Sequence, residues 1–330
     1  MAGRRTNLAL LILLLAALIT GFTSFALGTS STTAIVIGHG ILSLGIILLA
    51  PWKTDIARRS MRRRGWAQGL SLTLAALTGI ALLSGVLQTS GLVSEVGPVT
   101  MMQIHVGSGI GAVAALLAHI AVRPVPIRPV DLSRRNLLRG GALLGAAGIV
   151  YLSIAQVWRL VDAPGSKRRF TGSHEVGSGE PNQFPTTQWL NDRVPLIDAE
   201  SFRVRILDTE YSSQGLTVFG DSVDATLDCT GGWFTVQSWQ GASLSHFVAE
   251  GSGRSILVRS ATGYWRRFPI EEADRLLLAS HIAGEPLTPG HGAPVRLVAP
   301  GRRGFWWVKW VDSVTIDDAL PWWQPPLPMA

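Results

Sequence analysis

A bundle of five membrane-spanning α-helices followed by a mixed α and β domain is the fold class that the sequence predicts. Three observations predict it: five apolar stretches of membrane length, a sharp change in charge near residue 160, and short β-rich runs set between Gly and Pro clusters thereafter. The chain has 330 residues, room for two domains of ordinary size, expected here over 1–160 and 163–330.

The apolar stretches lie at 8–27, 33–50, 68–87, 101–122 and 137–157. About 20 apolar residues cross a hydrocarbon core of about 30 Å, so each qualifies or comes close. The fifth is rich in Gly and Ala, which suits close helix packing. The first has some features of a cleaved signal peptide. Its apolar run is too long for one, and no A-x-A-like site follows it, so we read it as a span.

Charge sets the expected topology. Up to residue 160 the only acids are Asp55, Glu95 and Asp131, whereas beyond 163 acids and bases mix in near balance. The net charge of +7 therefore originates in the first half. Its bases cluster in alternate loops: Arg4 and Arg5 before the first span; Lys53, Arg58, Arg59, Arg62, Arg63 and Arg64 between the second and third; Arg123, Arg128, Arg134, Arg135 and Arg139 between the fourth and fifth. The loops 28–32 and 89–100 carry none. This positive-inside pattern puts the N-terminus in the cytoplasm and the second domain outside a plasma (inner) membrane. Nucleic acid is a poor explanation for bases that alternate with apolar runs; lipid headgroups are a better one. Residues 133–139, Ser-Arg-Arg-Asn-Leu-Leu-Arg, resemble a twin-arginine export signal, although a basic stop at a helix end has the same composition.

Three histidines fall inside these spans: His39 in the second, His105 and His119 in the fourth. Ionisable groups at membrane depth are costly and usually functional. His39 and His105 each sit near the outer end of a helix, with Gly38, Gly40, Gly107 and Gly109 beside them, as a pair of axial ligands to one haem b would. His119 lies fourteen residues beyond His105, on nearly the same helix face, but the second span offers Lys53 at the matching level, so a second haem lacks a ligand. Hydrogen bonding between helices, with no haem, is the competing reading.

Cys229 is the one cysteine, which excludes an internal disulfide and leaves either an inert buried thiol or a ligating one. In the second half, strands are expected at 202–207, 216–218, 225–227, 255–259, 295–298 and 306–316, and a helix at 271–283, where Ala273, Leu276 and Leu277 have helical spacing. There is no phosphate-cradling loop, dinucleotide fingerprint, H-E-x-x-H or G-x-S-x-G. Three segments carry the chemistry: 226–233, T-L-D-C-T-G-G-W, with W-Q-G-A-S-L at 239–244; 287–301, L-T-P-G-H-G-A-P-V-R-L-V-A-P-G; and 304–311, G-F-W-W-V-K-W-V.

In this order they resemble the oxidoreductase molybdopterin-binding domain of the sulfite-oxidase family, over about 170–318. The bacterial periplasmic branch that includes the catalytic subunit of protein-methionine-sulfoxide reductase looks nearest. The resemblance implies an α+β fold and a molybdenum cofactor ligated by Cys229, with Thr230 beside it. It also implies a pterin and phosphate held by Arg296, Lys309, His291 and the turn containing Gly301, Arg302 and Gly304. His174 and Asn182 match a cofactor-contacting loop less closely; Tyr264 and Arg266, in a run that follows a strand, are read as reaching the substrate side of the metal, with ordinary surface aromatics as the competing reading. A thiolate is a soft donor suited to this metal, while Arg offers a planar fork and Lys a point charge to phosphate. Sulfite-oxidising members resemble one another in an arginine-containing run after the Cys; here uncharged residues follow it, which favours a neutral S- or N-oxide as substrate. The implied function is oxygen-atom transfer coupled to electron flow from quinone or another membrane partner. Oxidation of a small sulfur compound such as sulfite remains open. So does a membrane-anchored binding protein with a degenerate cofactor fold. The tryptophans Trp306, Trp307, Trp310, Trp322 and Trp323 are expected in the core or at the lipid interface.

Overall fold

The computed structural model describes residues 2–60, 66–188, 193–249 and 253–325; Arg62, Arg63 and Arg64 lie outside the described residues. The chain divides into two compact units, Met1–Phe25 with Ser30–His174, and Ala26–Thr29 with Glu175–Ala330. The division falls beyond the expected 160–163 because the next residues are tied to the helices. A 3-10 turn at Pro164–Lys167 follows the last helix, Arg168 donates to the Gly165 carbonyl at 2.6 Å, and the His174 ring bonds the Gln88 carbonyl at 2.6 Å.

The first unit consists of α1 (Ala2–Ala26), α2 (Thr33–Ser60), α3 (Trp66–Ser90), a two-stranded ribbon of β1 (Glu95–Val96) and β2 (Val99–Thr100), α4 (Met101–Val122) and α5 (Arg134–Leu160). All five helices are long and apolar enough to cross a membrane. They are apolar nearly all round, and their outward faces expose Ile12, Ile19, Leu83, Ile110, Leu117 and Ile149. The start of α4 is fixed locally: the Thr100 hydroxyl accepts from Gln103 N at 3.2 Å and the Gln103 amide oxygen accepts from Thr100 N at 2.8 Å, a reciprocal cap.

The second unit is α+β, and nearly all sheet. The division between the units falls within β3 (His174–Glu175), and the further elements of the second unit are β4 (Val204–Ile206), β5 (Thr209–Tyr211), α6 (Ser213–Thr217), β6 (Asp221–Asp228), β7 (Trp233–Ser243), β8 (Ser255–Ser260), β9 (Trp265–Pro269), β10 (Leu277–Ile282), β11 (Glu285–Pro286), β12 (Arg296–Val298) and β13 (Val311–Asp317). One sheet runs β11-β10-β7-β3, with β12 also on β10 and β6 also on β7; the other runs β5-β4-β13-β8-β9. Strand β7 buries alternate residues, Trp233, Thr235, Gln237 and Trp239, as a pleated strand over a core must. Trp239, Leu278, Leu297, Val308 and Val314 lie at the centre of that core.

Three expected elements differ. Residues 271–283 are a 3-10 turn (Ile270–Arg275) followed by β10, not a helix. Leu277, Leu278 and Ala279 pair with β7 on one side and β12 on the other, so a doubly covered central strand mimics a helical apolar run. Residues 216–218 end the short helix α6, whose cap is Ser212 accepting from Gly215 N at 3.0 Å. Within 306–316 the strand begins only at Val311, because Gly304–Trp306 form a 3-10 turn and Trp310 takes a left-handed backbone with φ 50°. Trp307 and Trp310 are buried; Trp322 and Trp323 are exposed.

Candidate active site

Strands β6 and β7 form a hairpin, and Cys229 stands at its tip. Its N–H bonds the Trp233 carbonyl at 2.9 Å, its carbonyl accepts from Gly232 N at 3.2 Å, and the Gly231 N–H points at its sulfur at 3.3 Å. The thiol is buried, and burial pushes its pKa above the ordinary range, against the pull of the Gly231 N–H, Thr187, Arg303 and Lys309. A metal overrides that penalty by replacing the proton. The turn at Gly304 packs against this tip: a Cβ there would sit 3.1 Å from the Cys229 Cα, so a larger residue would push the two backbones apart.

Arg303 anchors the tip from below. Its guanidinium bonds Asp228 at 2.5 Å and the Cys229 carbonyl at 3.3 Å, and both ionic side chains are almost wholly buried. Sequence reasoning chose Arg302 from this arginine pair and missed Arg303. Only the parallel bridge between Asp228 and Arg303 decides which of the two faces inward. Arg302 instead pairs with Glu272 and lies over the Trp306 ring.

An open cleft of about 800 Å³ adjoins the thiol. Of the expected residues it is lined by Cys229, Thr230, Tyr264, His291, Arg296, Gly304 and Lys309, and it also touches Thr187 and Gln188. Arg296 is 1% exposed and lies over Trp239 and Trp307 at 4.9 and 5.6 Å. Its Nη1 donates to the His291 carbonyl at 2.9 Å while its Nε is buried without a partner. Burial draws its pKa down to about 9, so it stays charged at neutral pH. Lys309 donates to the carbonyls of Thr187 and Gly290 at 3.0 and 2.6 Å. Gly292, at φ 108°, brings these two cations together, since a Cβ there would meet Arg296 and Lys309 Cβ atoms at 3.0 and 3.2 Å. A buried cation with an orphaned N–H calls for an anion. A pterin phosphate answers both, and the thiol beside it answers the metal, so the residues fit the molybdenum cofactor.

His291 acts as a lock on the cleft wall. Its Nε2 bonds the Phe184 carbonyl at 2.9 Å, its Nδ1 the Thr288 hydroxyl at 2.7 Å, and Phe184 stacks on it at 4.1 Å. A neutral ring with the proton on Nε2 satisfies both bonds. Burial, aided by Arg296 and Lys309, lowers its pKa to about 4. The unfolded chain thus binds a proton more readily than the folded one between about pH 4 and 6.5. Stability should rise with pH across that window and be lost as pH falls through it. Denaturation midpoints of the cofactor-free protein at pH 4.5 and 7 should show the slope, and His291→Gln should flatten it.

The other expected residues lie elsewhere. Arg266 is 1% exposed behind the cleft wall. Its Nε donates to the Tyr264 hydroxyl at 2.6 Å and its Nη1 to the Pro325 carbonyl at 2.7 Å; Tyr264 in turn donates to the Phe305 carbonyl at 2.5 Å. Arg266 therefore positions Tyr264 and does not reach the cleft. Asn182 braces two loops, donating to the Pro286 carbonyl and accepting from Thr288 N. His174 belongs to the helical unit, and Gly301 takes a left-handed turn outside the cleft lining.

In the helical unit, the rings of His39 and His105 lie 5.8 Å apart, nearly perpendicular at 87°. Each Nδ1 is held by a carbonyl of a neighbouring helix, Ala17 at 2.9 Å and Ala81 at 2.7 Å. Donation from Nδ1 leaves the lone pair on Nε2, the arrangement of a metal-ligating imidazole. His119 has no second imidazole beside it; its Nδ1 lies 3.4 Å from the Ser71 hydroxyl.

A lone thiol at a hairpin tip, sharing a cleft with a buried arginine and a half-buried lysine, defines a domain suited to an anionic, metal-bearing cofactor. Residues 191–321 match the family described as oxidoreductase molybdopterin binding domain. The chain is 25% identical over 177 residues to the mitochondrial sulfite oxidase of Homo sapiens, covering 40% of this chain and 32% of that one. It is 33% identical over 73 residues to a nitrate reductase [NADPH] of Mycosarcoma maydis, 22% of this chain and 7% of that one. The sulfane dehydrogenase SoxCD from Paracoccus pantotrophus shares 25% identity, with a TM-score of 0.35 over 38% of this chain and 40% of that one. The chain spans about a third or less of the length of these two curated relatives. Residues 191–321 are thus similar to an oxidoreductase molybdopterin-binding domain such as those of sulfite oxidase and nitrate reductase.

Proposed function

We propose that this protein is a membrane-anchored molybdopterin oxidoreductase that reduces a neutral S- or N-oxide outside the membrane, using electrons delivered through its helical unit. The observation that carries the reading is the charge around the cleft. Among the described residues that line the cleft, Arg296 and Lys309 are the only strong cations, and both are suited to the cofactor tail. Arg266 and Arg302, the arginines able to receive a doubly charged anion in place of the missing run after Cys229, are engaged by Tyr264 and Glu272. That leaves uncharged Thr230, Thr187, Gln188 and Tyr264 to meet the substrate.

Bound molybdenum supplies two-electron oxygen-atom transfer. The chain's own residues supply the rest. Cys229 gives the thiolate, Gly304 lets backbone close on it, and Arg296 and Lys309 hold the anionic tail. Tyr264, braced by Arg266, presents a phenol at the cleft wall. The overall change is an oxide plus two electrons and two protons giving the reduced compound and water.

Five apolar helices with outward apolar faces, and bases confined to alternate loops, support the membrane anchor and an outer location for the second unit. Export in a folded state would use the twin-arginine segment at the start of α5. The His39–His105 pair fits one haem b, which would supply one-electron transfer between a membrane donor and the cofactor. Methionine sulfoxide, trimethylamine N-oxide and sulfite should be offered to the purified chain with an artificial donor or acceptor. Turnover of an oxide and not of sulfite is expected; sulfite oxidation alone would overturn the direction. The optical spectrum should be that of a low-spin bis-imidazole haem, lost in His39→Leu and His105→Leu and kept in His119→Leu.

A further inference from the structure

We propose that Thr187 tunes the metal through its sulfur ligand: its hydroxyl, aimed by the Trp233 indole, donates to the Cys229 sulfur and raises the redox potential of bound molybdenum. This rests on the cofactor reading above and adds to it a positioning residue that acts through the thiolate.

An indole N–H can only donate, whereas a hydroxyl has one proton and two lone pairs. Trp233 opens β7, just past the turn that carries Cys229, and its Nε1 lies 3.2 Å from Thr187 Oγ1. The indole therefore gives and the hydroxyl accepts. The hydroxyl's own proton is turned away from the indole and kept for a second neighbour. That neighbour is the Cys229 sulfur, which also receives the Gly231 N–H at 3.3 Å. A Cβ on Gly231 would lie 3.5 Å from both Cys229 Sγ and Trp233 Nε1, so sulfur and indole flank the same small space.

The segment that carries Thr187 has no regular structure, yet it is tied down at each step. The Thr187 carbonyl accepts from Lys309 Nζ at 3.0 Å, and the Phe184 carbonyl accepts from His291 Nε2 at 2.9 Å. Between them Thr186 packs on the turn before His291, where a Cβ on Gly290 would lie 2.7 Å from Thr186 Cγ2. The Thr187 hydroxyl is thus held in register with the thiolate by the same two motifs that are suited to the cofactor tail.

A sulfur that accepts hydrogen bonds gives less electron density to its metal. The electron-richer reduced states are then favoured, and the potential rises; hydrogen bonds to ligating sulfurs are a general lever of this kind. Gly231 supplies one such bond from the loop itself, and Thr187 a second from a distant segment. Neither brings a charge into the cleft, so the potential is adjusted while the wall that meets a neutral substrate stays uncharged.

The test is a redox titration of the full, cofactor-loaded chain in detergent. It is run without substrate, so the result does not depend on the direction of turnover. The electron paramagnetic resonance signal of the singly reduced metal is followed against potential, and molybdenum content is measured on every sample. Thr187→Val should shift the redox equilibrium about tenfold toward the oxidised metal, a potential lower by about 59 mV for one electron. It should also move the sulfur-to-metal charge-transfer band to longer wavelength. Thr187→Ser keeps the hydroxyl and should restore both. Trp233→Phe leaves the hydroxyl without its orienting donor and should shift both in the same direction by less. If Thr187→Val purifies without molybdenum, Trp233→Phe decides: a lowered potential supports the role and a wild-type potential overturns it. A loaded Thr187→Val at the wild-type potential overturns this inference alone, even where its KM for the oxide rises, which would make Thr187 a substrate contact. A shift that Thr187→Ser does not undo overturns it as well, since the hydroxyl would not be its cause. Wild-type protein that takes up no molybdenum overturns the cofactor reading and this inference with it.

Discussion

Cys229→Ser is expected to lower turnover by more than about 100-fold, beyond the 10–100-fold range set by partners that merely orient a metal's ligands. A hydroxyl is a hard, weakly acidic donor and does not replace a soft thiolate on this metal. The hydrogen bonds that shape the tip, from Cys229 N to Trp233 O and from Gly232 N to Cys229 O, are backbone bonds and survive the change. The variant should therefore keep its circular dichroism spectrum and melting behaviour while losing activity. Turnover against methionine sulfoxide, with molybdenum content by mass spectrometry, checks this. Activity within tenfold of the wild type would remove the thiol from the reaction. Before cofactor loading, the raised thiol pKa should make Cys229 slow to react with iodoacetamide at pH 8, and faster as pH rises.

Asp228→Asn is expected to destabilise the second unit by about 3–5 kcal/mol, because it strands the Arg303 charge in a nearly waterless site. For a unit of this size that is a drop on the order of 10 °C in melting temperature. Arg303→Met should also be harmful, since it removes the guanidinium that pairs with the buried Asp228 carboxylate. The double variant Asp228→Leu, Arg303→Met should recover much of the loss, since apolar replacement of both members removes the desolvation cost together with the attraction. Thermal unfolding followed by near-ultraviolet circular dichroism separates the three. Since Arg303 also holds the Cys229 carbonyl, cofactor retention should fall in Arg303→Met even well below its melting point.

The site residues divided according to the kind of signal each left in the chain. Cys229, His291, Arg296 and Lys309 belong to continuous motifs whose chemistry is local, and all four line one cleft. Arg266 and Arg302 were chosen because a charged side chain stood near a motif, and Asn182 because it matched a cofactor-contacting loop of the family. Each is engaged elsewhere, because direction depends on partners distant in sequence: Pro325, Glu272 and Thr288. Arg303 was overlooked for the same reason in reverse.

Composition and periodicity determined the five long apolar helices and the change to a mixed α and β unit, and the resemblance of three short segments to a known family's motifs supplied the cofactor chemistry. Each of these is written in residues close together along the chain. Tertiary structure decided that 271–283 is mostly a central strand and which arginine enters the core. Those outcomes depend on pairing and burial between residues up to a hundred positions apart. Hydrophobic spacing within a dozen residues carries no record of what covers the other side.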